Sequence, residues 1–283
     1  MHDLSFRLID AQQTSLTNLA LHPTQEQFLS SGEMGTLKHW DIAGNLLQTI
    51  GSPGDPMLGT AWNPNGEDLI SSTYSGRIFR WQKDGQQLKT WNAHSASIWD
   101  VAYSPKGDQF ASAGVDGTAN LWAHNGQRLH TLNHGLAVWR VAYSPDGALV
   151  ATGSGDKTAK IWRTHDGSLV TTLTGHGAAV WGVAFSPDNT FIATTSVDET
   201  VKLWTLEGEL LHTLKGHNAS VRTLAFRQDG QMLASVGDDG TLALWDIPAI
   251  LDLRPLDYAC AWIRDYLQTN ENVSQADRSL CQD

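Results

Sequence analysis

Cysteine is nearly absent from this chain. There are two in 283 residues, Cys260 and Cys281, both near the C-terminus. A disulfide-stapled secreted scaffold is thereby excluded, and the two thiols read as reduced. Basic residues are also scarce: 19 Lys and Arg stand against 30 Asp and Glu, for a net charge of −11. A chain of that sign repels phosphate backbones and anionic headgroups, so neither nucleic acid nor a membrane surface is an expected partner. No apolar run approaches the roughly 20 residues of a spanning helix. The opening MHDLSFRLID has no basic stretch followed by an apolar core, so it does not read as a signal peptide, and the cytoplasm is the expected location. No Gly-x-x-x-x-Gly-Lys-Ser/Thr loop occurs. His124, His130, His165 and His212 lie in turns or strands without a carboxylate at metal-ligand spacing, so no metal or cofactor is expected.

Tryptophan, by contrast, is abundant: 12 residues, six of which keep a near-constant interval. Trp40, Trp81, Trp122, Trp162, Trp204 and Trp245 are spaced by 41, 41, 40, 42 and 41 residues. A fixed period of that length is the mark of a repeat architecture. Within each period a short apolar run leads into a turn, as in VAYSPKG, VAYSPDG and VAFSPDN. Proline there presets φ, and glycine or asparagine accepts a positive φ. An alternating run such as QFASAG or LVATGS follows, then a tight turn and the tryptophan strand, as in DGTANLW, and then a fourth run such as RLHTL or LLHTL. Four short strands per period, alternating with period two, are the content of a propeller blade.

The SPDG turns, the Gly-His pairs Gly175-His176 and Gly216-His217, the Asp-x-Thr turns and the tryptophan closing each third strand resemble the WD40-repeat family over residues 5–247. The resemblance implies an all-β propeller of six four-stranded blades, or part of a seven-bladed or longer ring. The expected domain spans residues 5–249. LSFRLID, matching the fourth-strand wording, would supply the outer strand of the sixth blade and so join the two termini.

The stretch GHGAAVWGVAFSPDNTFIATTSVDETVKLW carries His176, Thr194 and Asp198, the side chains of a hydrolase triad. The same set recurs as His94, Ser112, Asp116 and Trp122, as His134, Thr152, Asp156 and Trp162, and as His217, Ser235, Asp239 and Trp245, with Trp204 completing the set around His176. A catalytic triad is made once per active site, and this one is made four times. The resemblance implies instead a structural tetrad in which aspartate, histidine, hydroxyl and indole satisfy one another below the surface. The first two periods depart from it, offering Gln12, Ser30, Met34 and Trp40, and Pro53, Ser71, Ser75 and Trp81; these blades are expected to be less rigid.

With the tetrads assigned to structure, other repeated positions remain. At the start of each inner strand stand Thr17, Leu58, Trp99, Trp139, Trp181 and Arg222. The residues preceding the tetrad aspartate position are Glu33, Tyr74, Val115, Gly155, Val197 and Asp238. By resemblance both sets lie on the face at one mouth of the channel. Trp99, Trp139, Trp181, Arg222, Tyr74 and Asp238 are the candidate partner-binding residues, since tryptophan and arginine are enriched at binding hot spots. Packing of the tryptophans between blades is the competing reading. Asp100 and Arg140, on neighbouring blades, are expected to pair.

Residues 250–283 form a separate tail with Tyr258, Trp262 and Tyr266 at helical spacing and a capping box from Ser274 to Asp277. Its wording is similar to tails ending bacterial signalling NTPases that carry C-terminal WD40 arrays. The expected function is a non-catalytic scaffold for protein partners. The alternatives are a regulatory or sensor module associated with a signalling NTPase, and a small-ligand binder or enzyme using the central channel. Association through the tail or through an open edge of the ring is a further expectation.

Overall fold

The computed structural model describes residues 9–11, 13, 15–51 and 53–252. Five four-stranded antiparallel sheets and a final three-stranded one follow one another along the chain. The third blade is typical. Its strands run Ile98–Tyr103, Gln109–Gly114, Thr118–Ala123 and Arg128–Asn133, each paired with the next. The second strand, QFASAG, is buried along nearly its whole length, and the fourth, RLHTLN, is largely exposed. That gradient explains the composition. A strand covered on both faces carries small or apolar residues throughout, whereas the outer strand keeps charged and polar groups in water. The SPDG turns close as the sequence predicts, with Gly107 and Gly147 at φ 73° and 75° and Asn189 taking the same place at φ 60°.

The core lies between blades. Leu121 and Leu132 of the third blade meet Val138, Val141, Val150 and Trp162 of the fourth in one cluster. Equivalent clusters join the second blade to the third and the fourth to the fifth. The inner strands Leu16–Leu21, Met57–Trp62, Ile98–Tyr103, Val138–Tyr143, Val180–Phe185 and Val221–Phe226 each touch the next around a central channel. Across that channel Arg140 Nη2 donates to Thr223 Oγ1 at 3.2 Å, so the sixth blade has curved back toward the fourth.

The described residues do not close the ring. Leu21 is 75% exposed, while Trp62, at the same place one blade on, is 6% exposed. At the other end Leu244 is 60% exposed, while Leu203 on the fifth blade is fully buried. Leu16, Leu19, Val236 and Leu242 are exposed in the same way. The first blade thus bares the face that every other blade lays on its predecessor, and the sixth bares the opposite face. The expected outer strand of the sixth blade falls mostly outside the described residues. One contact bears on the path leading to the first blade. Lys38 Nζ donates to the Ala11 carbonyl at 2.6 Å, and Lys160 Nζ, at the matching place in the fourth blade, donates to the Asn133 carbonyl at 3.1 Å. Asn133 ends the fourth strand of the preceding blade.

After Trp245 the chain turns at once into a short helix, Ile247–Leu251, capped by Asp246, whose carboxylate accepts from the Ala249 amide at 3.1 Å. The helix straddles the expected domain boundary between residues 249 and 250, because Pro248 cannot donate to a sheet ladder but suits a first helical turn. Tyr258, Cys260, Trp262, Cys281 and the rest of the tail lie outside the described residues.

Matched leucines test the open face. Leu203→Ala is expected to cost about 2–5 kcal/mol, as for a filled core site, and Leu244→Ala within about 0.5 kcal/mol. Chemical denaturation of the two variants measures this, and equal losses would show that the sixth blade's face is covered in solution.

Candidate functional site

Each tetrad is assembled at the end of a blade where the entering loop meets the turn between the second and third strands. Val115 N donates to Ser97 O, and Gly155 N to Ala137 O, which fixes the two loops side by side. The hydroxyl lies on the second strand and the indole on the third, two positions beyond the residue paired with the hydroxyl. Trp122, Trp162, Trp204 and Trp245 donate Nε1–H to Ser112, Thr152, Thr194 and Ser235 at 2.8–2.9 Å. The same oxygens lie 2.6–2.8 Å from Nε2 of His94, His134, His176 and His217. The histidine Nδ1 atoms face Asp116, Asp156, Asp198 and Asp239 at 2.8–3.1 Å.

The chemistry of this chain is settled by its donors. A carboxylate only accepts, so the imidazole carries its proton on Nδ1 and accepts at Nε2 from the hydroxyl, which in turn accepts from the indole. Burial pushes His134 down to about 4 from an ordinary 6.5, although Asp156 pulls the other way; burial lowers His94 and His176 as well. Burial alone would raise Asp198, but hydrogen bonds from the Thr200 hydroxyl, the Gly177 amide and His176 outweigh it and bring it down to about 2. The direction of proton donation matches a hydrolase triad. Yet the hydroxyls of Ser112, Thr152, Thr194 and Ser235 are fully buried and already bound on both sides. No substrate carbon can reach them.

A further member was not foreseen. Thr118, Thr158, Thr200 and Thr241, two residues after each aspartate, donate their hydroxyls to its Oδ1 at 2.6–2.8 Å. The Asp-x-Thr wording was visible, and a side chain two residues on is the one an Asx turn brings back. Lys157 and Glu199 sit between these pairs at φ 72° and 70°, where the other turns use glycine.

The first two blades keep the hydroxyl and the indole and replace the rest. Trp40 and Trp81 still donate to Ser30 and Ser71, at 2.9 Å each. In the first blade the side chain meeting Ser30 is Gln13, whose Oε1 accepts from Ser30 Oγ at 3.0 Å while its Nε2 donates to the Thr36 carbonyl at 3.0 Å. Counting 18 residues back from the hydroxyl had pointed to Gln12, which lies outside the described residues. In the second blade Asp55, on the entering loop, accepts from the Ser75 hydroxyl and, at 3.1 Å, from the Ser75 amide, and pairs with Arg77 at 3.4 Å. The acid and its donor have changed sides; the signal was the lone carboxylate in GSPGDPM.

The candidate binding residues sit at this same end. Trp99 is 43% exposed, and its ring meets that of Trp139 edge-on, with centroids 5.7 Å apart at 75°. Trp139 is half-buried and lies beside Gly155, where a Cβ would stand 3.4 Å from the indole nitrogen. Its Nε1 is buried with no acceptor among the described residues. Trp181 is half-buried beneath Arg222, whose guanidinium lies 4.2 Å from the ring centre and donates Nε–H to Asp238 at 2.6 Å. Tyr74 is exposed in the corresponding turn of the second blade. The expected row is thus two pairs, Trp99 with Trp139 and Trp181 with Arg222. Thr17 and Leu58 add nothing to it, since Leu58 is buried and the Thr17 hydroxyl is spent on the Met57 carbonyl at 2.6 Å. Asp100 and Arg140 do pair, at 3.6 Å; burial raises the Asp100 pKa against the pull of that guanidinium.

The family described as WD domain, G-beta repeat matches at residues 85–123, 126–163, 167–205 and 208–246. The chain belongs to the WD40-repeat family. The matched segments end on the strands of Trp122, Trp162, Trp204 and Trp245, the four tryptophans with complete tetrads. Repeats of this family generally mediate contacts between proteins. A search of curated proteins gave no match. The matches stop before the tail, so the likeness to NTPase tails is not supported by them. Among the described residues no helix is long and apolar enough to cross a membrane, and no group of three or more His, Cys, Asp or Glu is placed to hold a metal ion.

Two measurements follow from the tetrad. Asp156→Ala should cost about 1–3 kcal/mol by stranding buried donors, and Ser75→Ala distinctly less, since Ser75 is exposed; equal melting shifts would contradict the tetrad's structural role. The pH profile is also set. Between pH 6.5 and about 4 the unfolded chain takes up a proton on His134 that the folded blade refuses, so stability is full above 6.5 and falls as the pH drops toward 4. Asp198 adds a loss between its ordinary 3.8 and about 2. Thermal melts across this range check it, and a flat profile from pH 6.5 to 4 would mean that the imidazoles are charged in the fold.

Proposed function

We infer that this chain is a non-catalytic scaffold that binds a protein partner on the channel-mouth face carrying Trp99, Trp139, Trp181 and Arg222, with Tyr74 and Asp238 at its rim. The observation that carries the reading is the contrast between two sets of tryptophans. Those closing the third strands of the first five blades are buried with satisfied N–H groups, whereas Trp99 stands 43% exposed at a position where the second blade buries a leucine. A rigid, wide, amphipathic side chain left in water at a loop-rich end of a fixed scaffold offers contact area at little entropic cost. The triad-like sets speak against hydrolysis at those positions, because their hydroxyls are inaccessible.

Trp99→Ala should leave the melting temperature nearly unchanged while weakening partner capture by about 2 kcal/mol or more, roughly 30-fold in Kd. Trp162→Ala, which opens a core cavity, should instead cost about 3–5 kcal/mol of stability. Comparing affinity capture by the intact chain and by Trp99→Ala, each with its melting curve, tests the reading. Undiminished capture by Trp99→Ala would refute it.

A further inference from the structure

Resting on that binding face, we propose that its partner presents an arginine, and that the arginine seats on the open ring of Trp99. The chain supplies its own template. On the fifth blade Trp181 is covered by a guanidinium, that of Arg222 from the sixth, held 4.2 Å from the ring centre and steered by the Asp238 carboxylate at 2.6 Å. Trp99 is the residue equivalent to Trp181 two blades earlier, and the place of Arg222 is taken there by Trp139. Trp139 meets Trp99 with an edge rather than a charge. Among the described residues no Lys or Arg lies over either ring. Trp99 therefore carries no cation on its ring and remains 43% exposed to water.

Charge favours the same ligand. The turns at this end carry the four tetrad aspartates with Glu33 and Glu199. Among the described residues of these turns the cations are Lys157, Arg77 and Arg222, with Lys160 and Lys202 on the third strands beside them; Arg77 and Arg222 are already tied to Asp55 and Asp238. Because burial keeps His94, His134 and His176 from protonating, the negative charge of their aspartates is not cancelled within the tetrads. An approaching arginine gains from this field and from the indole quadrupole together; an acidic partner gains from neither. The planar guanidinium also stacks on an indole in a way that a compact ammonium does not.

Random short peptides displayed on phage and selected against the intact chain test this. Selected peptides should be rich in arginine, and in solution replacing that arginine by citrulline, its neutral near-isostere, should weaken binding by about tenfold or more, as should Trp99→Ala. Trp139→Arg provides a second arm. It brings to the fourth blade the residue that covers Trp181, so it should cap Trp99 from within and abolish binding while the melting curve stays cooperative. Peptides that require Trp99 but tolerate citrulline would overturn the arginine inference and leave the binding face standing. Selection that yields no peptide, or only peptides indifferent to Trp99→Ala, would overturn both.

Discussion

A buried indole N–H is the constraint from which most of this structure follows. The tryptophan closing each third strand supplies the bulk that fills the space between blades, but it brings one polar hydrogen into a place that water does not reach. A hydroxyl on the neighbouring strand takes that hydrogen, and the hydroxyl's own proton then needs an acceptor. Histidine on the entering loop provides one, and its second nitrogen needs a carboxylate. The carboxylate in turn gathers the threonine two residues on and, in the third, fifth and sixth blades, a backbone amide of the entering loop. A single unsatisfied donor thus ties together a loop, two strands and a turn. The first blade shows that the demand is fixed and the supply is not, since Gln13 answers it with an amide; in the second, Asp55 ties the entering loop to the Ser75 turn instead.

Stacking identical blades has a second consequence. Each inter-blade core is made of two unlike faces, so any array that does not close on itself leaves one of each unpaired. The exposed leucines of the first and sixth blades are those two halves. Among the described residues they are ordinary core positions without a neighbour, unlike the exposed tryptophan on the third blade, which faces outward in a blade whose core is complete.

The described strands and their order were legible because the period of the tryptophans and the alternation within each run depend on local chemistry. The four tetrads were legible for the same reason, as fixed offsets from a residue that can be counted. What failed was what offsets do not carry. Gln12 and Gln13 are equally good amides, and only the path of the loop decides between them. Asp55 lies in a loop with two prolines and two glycines, whose course no periodic pattern describes. The candidate face was legible as positions but not as pairs: nothing in the wording of VWRV or VWGV tells that Trp139 lies against Trp99, or that Trp181 is covered by the arginine of the next blade. Those arrangements depend on side chains from different repeats meeting in space.

The tetrad account is tested most directly by the protonation state of its histidines. Nitrogen-15 NMR of the imidazoles in the intact chain at neutral pH should show His94, His134 and His176 as neutral rings protonated on Nδ1, with Nε2 accepting, and the indole N–H groups of Trp122, Trp162 and Trp204 should exchange slowly with solvent. Imidazolium signals, rings protonated on Nε2, or indole protons that exchange freely would contradict it.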